Sequence, residues 1–271
     1  VLLATSALTL SAGFASAEVN MSGSGGAGVF GDKGADLSVY SGVDLGFSLS
    51  GSSDNGMEFS ASLDMGGGQT LDAGDFELDT QDMGVDDNVA VTIGVSGLTV
   101  VLSQNGVDDL YDDDIAGDIG ISGAMGDLTY SITTGLEDDD PTSLSVGYSA
   151  GAISGSVATS DEGDASNVSI SYAMGDITVS AESDTDRTGA DTSSVTVSYA
   201  MSDGMTVSLE NSEDVNEVSV SYSSGAISVG VSADDAATES WEATMAYDLG
   251  GGATFNLGTN QDETTFAGVG F

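Results

Sequence analysis

A chain of 271 residues with 45 Asp and Glu against 2 Lys and Arg carries a formal charge of −43. Such a charge repels nucleic acid and anionic surfaces at long range and draws in cations. With no histidine and no cysteine, the chain cannot build a His-based triad, a His-ligated metal site, thiolate chemistry or a disulfide framework. So acidic a chain with 6% aromatics would read as disordered. Sustained period-2 alternation of apolar and polar residues argues instead for strands.

Val1 to Phe14 is an apolar run of secretory-leader length, and Ala15-Ser16-Ala17 is a small-x-small cleavage signal before Glu18. Residues 1–17 are therefore read as a signal peptide, truncated at its start because no methionine or basic residue precedes the run. Residues 18–271 are read as one domain, since no linker or composition break divides them. No later stretch approaches the roughly 18 continuous apolar residues of a membrane helix, so any membrane crossing falls to strands.

Glu18 to Gly31 reads as a first strand. Leu37, Val39, Val43, Leu45, Phe47 and Leu49 share one parity, opposite Ser38, Tyr40, Asp44 and Ser48. After a turn at Ser52 to Asn55, Met57, Phe59, Ala61, Leu63 and Met65 lie opposite Glu58, Ser60, Ser62 and Asp64. Gly66 to Asp87 is acidic and weakly patterned, a long loop with a candidate short strand at Phe76 to Leu78. Val89 to Val95 crosses Ser96-Gly97 to Leu98, Val100 and Leu102. Asn105 to Asp114 sets Asp108, Asp109, Asp112, Asp113 and Asp114 around Leu110-Tyr111. Ile119, Ile121 and Met125 turn at Gly126-Asp127 into Leu128, Tyr130, Ile132 and Leu136. From Leu144 onward one hairpin unit repeats, shown most plainly by Val168 to Ser180 around Gly175-Asp176. A tyrosine precedes each tight turn, at Tyr148, Tyr172, Tyr199, Tyr222 and Tyr247. Thr264 to Phe271 closes the chain.

The connections fall into two classes. Tight Gly, Ser and Asp turns mark one rim, and longer acidic loops the other: Glu137 to Thr142, Ser160 to Ser166, Ser183 to Thr192, Asn211 to Asn216 and Asp234 to Glu239. The fold expected is an all-β transmembrane antiparallel up-and-down barrel with short periplasmic turns and longer acidic extracellular loops. A soluble sandwich alternates too, but its connections do not divide by rim in this way. In a barrel the apolar parity meets lipid, with the five tyrosines as an aromatic girdle at the tight-turn rim. Trp241 and Phe255 share that parity. The Ser/Thr parity faces water, and it carries Asp44, Glu58, Asp64, Asp118, Glu182, Glu210, Glu217 and Glu242. Acids lining a pore favour cations. A catalytic carboxylate pair would need one acid in an apolar pocket, and these acids lie in open polar surroundings, so no enzyme is expected. Asp138-Asp139-Asp140 and Asp161-Glu162-Gly163-Asp164 match no full Ca²⁺-loop spacing; weak Ca²⁺ or Mg²⁺ binding at the acidic loops is the most they suggest, with no metal site assigned and no other cofactor.

Glu18-Val19-Asn20-Met21-Ser22-Gly23, the hairpin Ser50 to Phe59, Tyr247-Asp248-Leu249-Gly250-Gly251-Gly252-Ala253 and Gly268-Val269-Gly270-Phe271 resemble the general diffusion porins of alphaproteobacterial type. That resemblance implies a homotrimer of sixteen-stranded barrels in the Gram-negative outer membrane, in contact with its lipid and lipopolysaccharide, each pore narrowed by one infolded acidic loop. The terminal Phe271 resembles the family's assembly signal. Hairpins counted here come nearer eighteen strands, so 16 to 18 are expected. By position Asn105 to Asp114 resembles the infolded loop, with Asp108-Asp109-Leu110-Tyr111 as its matching core, although it is short. The basic cluster that faces this loop in the family has no counterpart, because Lys33 and Arg187 are the only basic residues and both read as rim or loop residues. The reading is a passive channel for small hydrophilic solutes with a negative lumen that prefers cations. Its rivals are a secreted or surface-layer structural or adhesive protein binding divalent cations, and a closed, non-conducting anchor barrel.

Overall fold

The computed structural model describes residues 18–271 apart from 82–88, 113–114, 138–140, 162–163, 202 and 214. The leader-like residues 1–17 lie outside the described residues, as do Asp113, Asp114 and the Asp138 to Asp140 run.

Alternating sequence becomes strand throughout. The first three are long, β1 (Glu18–Gly31), β2 (Ser38–Ser52) and β3 (Glu58–Asp72), and a fourth is short, β4 (Glu77–Thr80). Next come β5 (Ala90–Val95), β6 (Leu98–Asp108), β7 (Ala116–Met125), β8 (Leu128–Thr134), β9 (Thr142–Ala150) and β10 (Ile153–Ser160). The repeated hairpins give β11 (Ser166–Met174), β12 (Ile177–Thr185), β13 (Asp191–Ala200), β14 (Met205–Ser212), β15 (Val215–Ser224) and β16 (Ile227–Asp234). β17 (Trp241–Gly250), β18 (Ala253–Asn260) and β19 (Thr265–Gly270) finish the sheet. Each wall strand pairs antiparallel with the next, and β19 returns to β1 from Gly26↔Gly270 to Gly31↔Thr265. The result is a closed barrel of eighteen strands, at the upper end of the range the sequence predicts. β4 stands apart: it pairs only with the far end of β3, while β5 takes the wall position beside β3.

Turn chemistry sets the tight rim. At Gly126, Gly151, Gly175 and Gly225 the glycine alone has positive φ, followed by an Asp or Ala that does not. That is the type II′ pattern, whose twist suits a two-residue hairpin. Ser96-Gly97 has positive φ at both positions, the type I′ alternative.

Register then sorts the faces. Val157↔Val168 and Ser156↔Ser169 are neighbouring pairs on opposite faces. Val146, Val157, Val168, Ile170, Val195, Val197, Leu209, Val218 and Val231 are all exposed on the outer face. On the inner face serines pair across strands, Ser156 Oγ with Ser169 Oγ at 2.8 Å and Ser198 Oγ with Ser208 Oγ at 2.7 Å.

Among the described residues the buried apolar side chains are few: Tyr40, Phe76, Ala165 and Phe266. Tyr40 and Phe266 belong to the inner parity, so their burial at 3% and 4% exposure means that something covers them from inside. The cover is the β3–β4 hairpin, whose Phe76 stacks on Phe266 with ring centroids 5.3 Å apart, tilted by 60°. Glycines make room here: a Cβ at Gly42 would lie 2.5 Å from the Gln69 carbonyl oxygen of the hairpin, and one at Gly268 would strike the hydroxyl of the covered Tyr40. Gly268→Ala should therefore destabilise the barrel by about 1–3 kcal/mol, the usual penalty of overpacking. The same change in a Tyr40→Ala background should cost less, a coupling measurable by thermal unfolding in detergent. Equal penalties in both backgrounds would contradict the contact.

Candidate functional site

The inner face is a hydroxyl wall interrupted by carboxylates and partly covered by two infolded segments. The sequence-predicted acids Asp44, Glu58, Asp64, Asp118, Glu182, Glu210, Glu217 and Glu242 all lie on the face opposite the exposed apolar set. Their surroundings differ. Asp118 is occupied by backbone: its Oδ1 accepts from Asn105 N at 3.0 Å and its Oδ2 from Leu136 N at 2.9 Å. Glu182 accepts from Asn167 Nδ2 at 2.6 Å and Glu210 from Thr196 Oγ1 at 3.2 Å. Glu210 faces Glu217 across one strand boundary, and Glu217 faces Asp234 across the next, so carboxylates run along β14 to β16 near the long-loop rim. Glu242 borders a cavity that Ala73 and Gly74 also line.

The first infolded segment follows the bulge in β6, where register shifts between Leu102 and Val107 and Asn105 takes a φ of 51°. Beyond it, Leu110 N donates to Ser143 Oγ at 2.9 Å and Ser160 Oγ donates to Asp109 Oδ2 at 3.1 Å. Ser143, Ser160 and Asp184 share the inner parity of β9, β10 and β12. The strap from Asp109 to Asp112 therefore crosses the inside of the wall at the long-loop rim. Asp109, expected among the constriction acids, is only 5% exposed. Its other oxygen accepts from Tyr111 N at 2.8 Å and Asp112 N at 3.2 Å. It is a turn-forming anchor turned away from water, because a buried carboxylate is held only where donors surround it. Asp108 is exposed, whereas Asp112 meets Arg187 Nη2 at 3.6 Å. Arg187, read from sequence as a rim residue, is thus drawn onto the strap, while Lys33 remains at the rim, 3.7 Å from Asp262.

The Tyr111 hydroxyl donates to Asp184 Oδ2 at 2.9 Å. Partial burial, the bond to Asp184 and the charges of Asp184, Asp186 and Asp112 push its pKa up to about 12.

The second infolded segment is the β3–β4 hairpin, which the sequence reading treats as a loop. It brings Asp72, Asp75, Glu77 and Asp79 inside the barrel, with Asp75, Glu77 and Asp79 exposed. Two sequence features marked it: the run Gly66-Gly67-Gly68 breaks the alternation, and Phe76 is a lone aromatic among acids. Loop acids elsewhere act chiefly as turn formers. Asp186 Oδ1 accepts from Thr188 Oγ1 and Thr188 N at 2.7 Å and from Ala190 N at 2.9 Å, which lowers its pKa. Asp235 is lowered likewise by bonds from Asn216 N and Nδ2. Asp161 accepts from Thr142 N at 2.6 Å.

A closed barrel of eighteen strands, lipophilic outside and hydroxylated inside, has its counterpart among known proteins: the sequence profile of Gram-negative porins matches residues 4–267. The chain belongs to the Gram-negative porin family. Its place is therefore the Gram-negative outer membrane. Solved porins share the fold. A tryptophan variant of Rhodopseudomonas blastica porin superposes with a TM-score of 0.61 at 17% identity, covering 93% of this chain and 99% of that one. A triple variant of the same porin gives a TM-score of 0.60 at 17% identity with the same coverage. A porin structure refined at 1.8 Å gives 0.56 at 17% identity, covering 94% and 99%. No curated protein sequence is a significant match.

In this porin Tyr148, Tyr172, Tyr199, Tyr222 and Tyr247 point outward near the tight turns, between 40% and 45% exposed. Phe271 is exposed, and its backbone exchanges two 2.9 Å hydrogen bonds with Gly25, extending the β1–β19 seam. Because Tyr111 titrates above its ordinary 10.0, its contribution to strap stability is complete below about pH 10 and is lost as pH rises toward 12. A tyrosinate absorbance titration of the folded porin should show a component completing near pH 12 that Tyr111→Phe lacks. A difference between the two curves that appears near pH 10 instead would contradict the Tyr111–Asp184 bond.

Proposed function

We propose that this porin is a passive diffusion channel for small hydrophilic solutes that prefers cations. The observation that carries this is the inner face itself, where hydroxyls and carboxylates alternate with the lipophilic outer residues and where neither cation of the sequence stands apart from an acid. Lys33 is beside Asp262 and Arg187 beside Asp112. Carboxylates on a water-filled path lower the energy of a passing cation and raise that of an anion, an effect that salt screens over about 8–10 Å at ordinary ionic strength. The exposed acids of the β3–β4 hairpin, together with Glu58, Asp64, Glu217 and Glu242, supply the field. Buried Asp109 does not. The lipophilic outer wall speaks against the secreted adhesive reading. A homotrimer belongs to the same proposal; its support is the likeness of the barrel to the porin family, and cross-linking in detergent tests it.

Planar-bilayer recording under a KCl gradient should give a reversal potential of cation-preferring sign; zero or anion-preferring potential would defeat the proposal. Neutralising Asp75, Glu77 and Asp79 together should lower the cation-to-anion permeability ratio on the order of twofold, the scale of screened, exposed charges. Asp109→Asn should leave the ratio nearly unchanged while loosening the strap, because its charge is spent on local donors.

A further inference from the structure

We propose that the β3–β4 hairpin sets the upper size of solute this barrel passes. The proposal rests on the channel reading above and assigns its narrowing to a segment other than the acidic loop after β6.

β3 leaves the wall at Gly68, where φ is +83° and a Cβ would collide with the Ser41 carbonyl oxygen. Only glycine is accommodated at that corner. From there Gln69 to Asp72 pair with Glu77 to Thr80 instead of with a wall strand. Gln81 N closes the base by donating to the Gly68 carbonyl at 2.9 Å, and Gln81 Nε2 donates to Thr70 Oγ1 at 2.7 Å. The hairpin runs inside the wall past β2, β1 and β19, with Thr70 and Leu71 set beside Tyr40, Asp44 and Asn256. Phe76 on Phe266 latches it there, an aromatic contact worth about 0.5–1.5 kcal/mol beyond its buried area. At the turn, Asp72 Oδ1 accepts from Gly74 N at 2.8 Å and Asp75 N at 3.2 Å, which rigidifies the tip.

The tip continues over the neighbouring wall strands. Ala73 and Gly74 line a cavity together with Phe266 of β19 and with inner-face Ser228, Gly230, Glu242, Thr244 and Asn256 of β16, β17 and β18. By contrast, the strap from Asp109 to Asp112 is tied along the wall at the rim by Ser143, Ser160 and Asp184. In strand order the hairpin overlies the β1–β19 seam while the strap is tied to β9, β10 and β12, on the far side of the barrel. The hairpin covers the inner wall from β2 round to β16 and so takes up lumen that the strap leaves free; the residual opening is bounded by it.

Because the chain contains no cysteine, Gly74→Cys supplies a single handle. Added during single-channel recording, a bulky neutral thiol-reactive reagent should reduce conductance stepwise in this variant and leave the parent untouched. In a second variant, residues 70–79 are replaced by two glycines. Its conductance should rise on the order of twofold, and its polyethylene glycol exclusion limit should shift to larger polymers, as expected where pore diameter controls flux. A parent protein that inserts but never conducts would defeat the channel reading itself. A conducting parent, with both variants folded and indistinguishable from it in conductance and exclusion limit, would overturn the hairpin's role alone. Should Gly74→Cys fail to fold, the shortened variant decides by the same two readouts.

Discussion

Backbone amides in hydrocarbon have only one another to bond, and this molecule follows from that restriction. β1 is its clearest expression, pairing along its length with β2 and over its outer portion with β19, so that the wall closes on itself. Closure fixes register, and register fixes which side of every strand meets lipid, because side chains alternate with a period of two. The same constraint makes local sequence modest in its demands. Valine, isoleucine or leucine is needed on alternate positions, and nearly anything small and polar suffices between them.

The interior is consequently water and hydroxyl, with very little packed core. The exception is the patch of Tyr40, Phe76 and Phe266, where an infolded hairpin covers aromatic rings on the inner wall. A charge of −43 is tolerated because the acids are spread over rims, loops and a wet inner face where solvent and salt screen them. Many also do structural work as acceptors for turn amides, as at Asp186, Asp235 and Asp72. Acidity in this chain is therefore a dual resource, part turn chemistry and part field.

Most of the wall was legible in the sequence, since alternation such as Val168 to Ser180 is a local signal and the turn glycines mark its ends. The two infolded segments were legible only in part. Asp109 reads as solvated within a run of acids, and only Ser160, remote in sequence, reveals it as a buried anchor. The β3–β4 hairpin depends on Phe76 meeting Phe266 and on the glycine at 42 that clears its path, contacts between distant parts of the chain that no window of sequence contains. Arg187 stands in a rim loop as the sequence reads it, but its pairing with Asp112 is a tertiary fact.

The account turns on which alternate residues touch water inside the barrel. Single cysteines placed in turn at Val168, Ser169, Ile170, Ser171 and Tyr172, in porin reconstituted into lipid vesicles, measure this directly with a charged, membrane-impermeant thiol reagent. Labelling confined to positions 169 and 171 is the predicted result. Labelling of 168, 170 and 172 instead, or no alternation at all, would contradict a wet interior enclosed by a lipophilic wall.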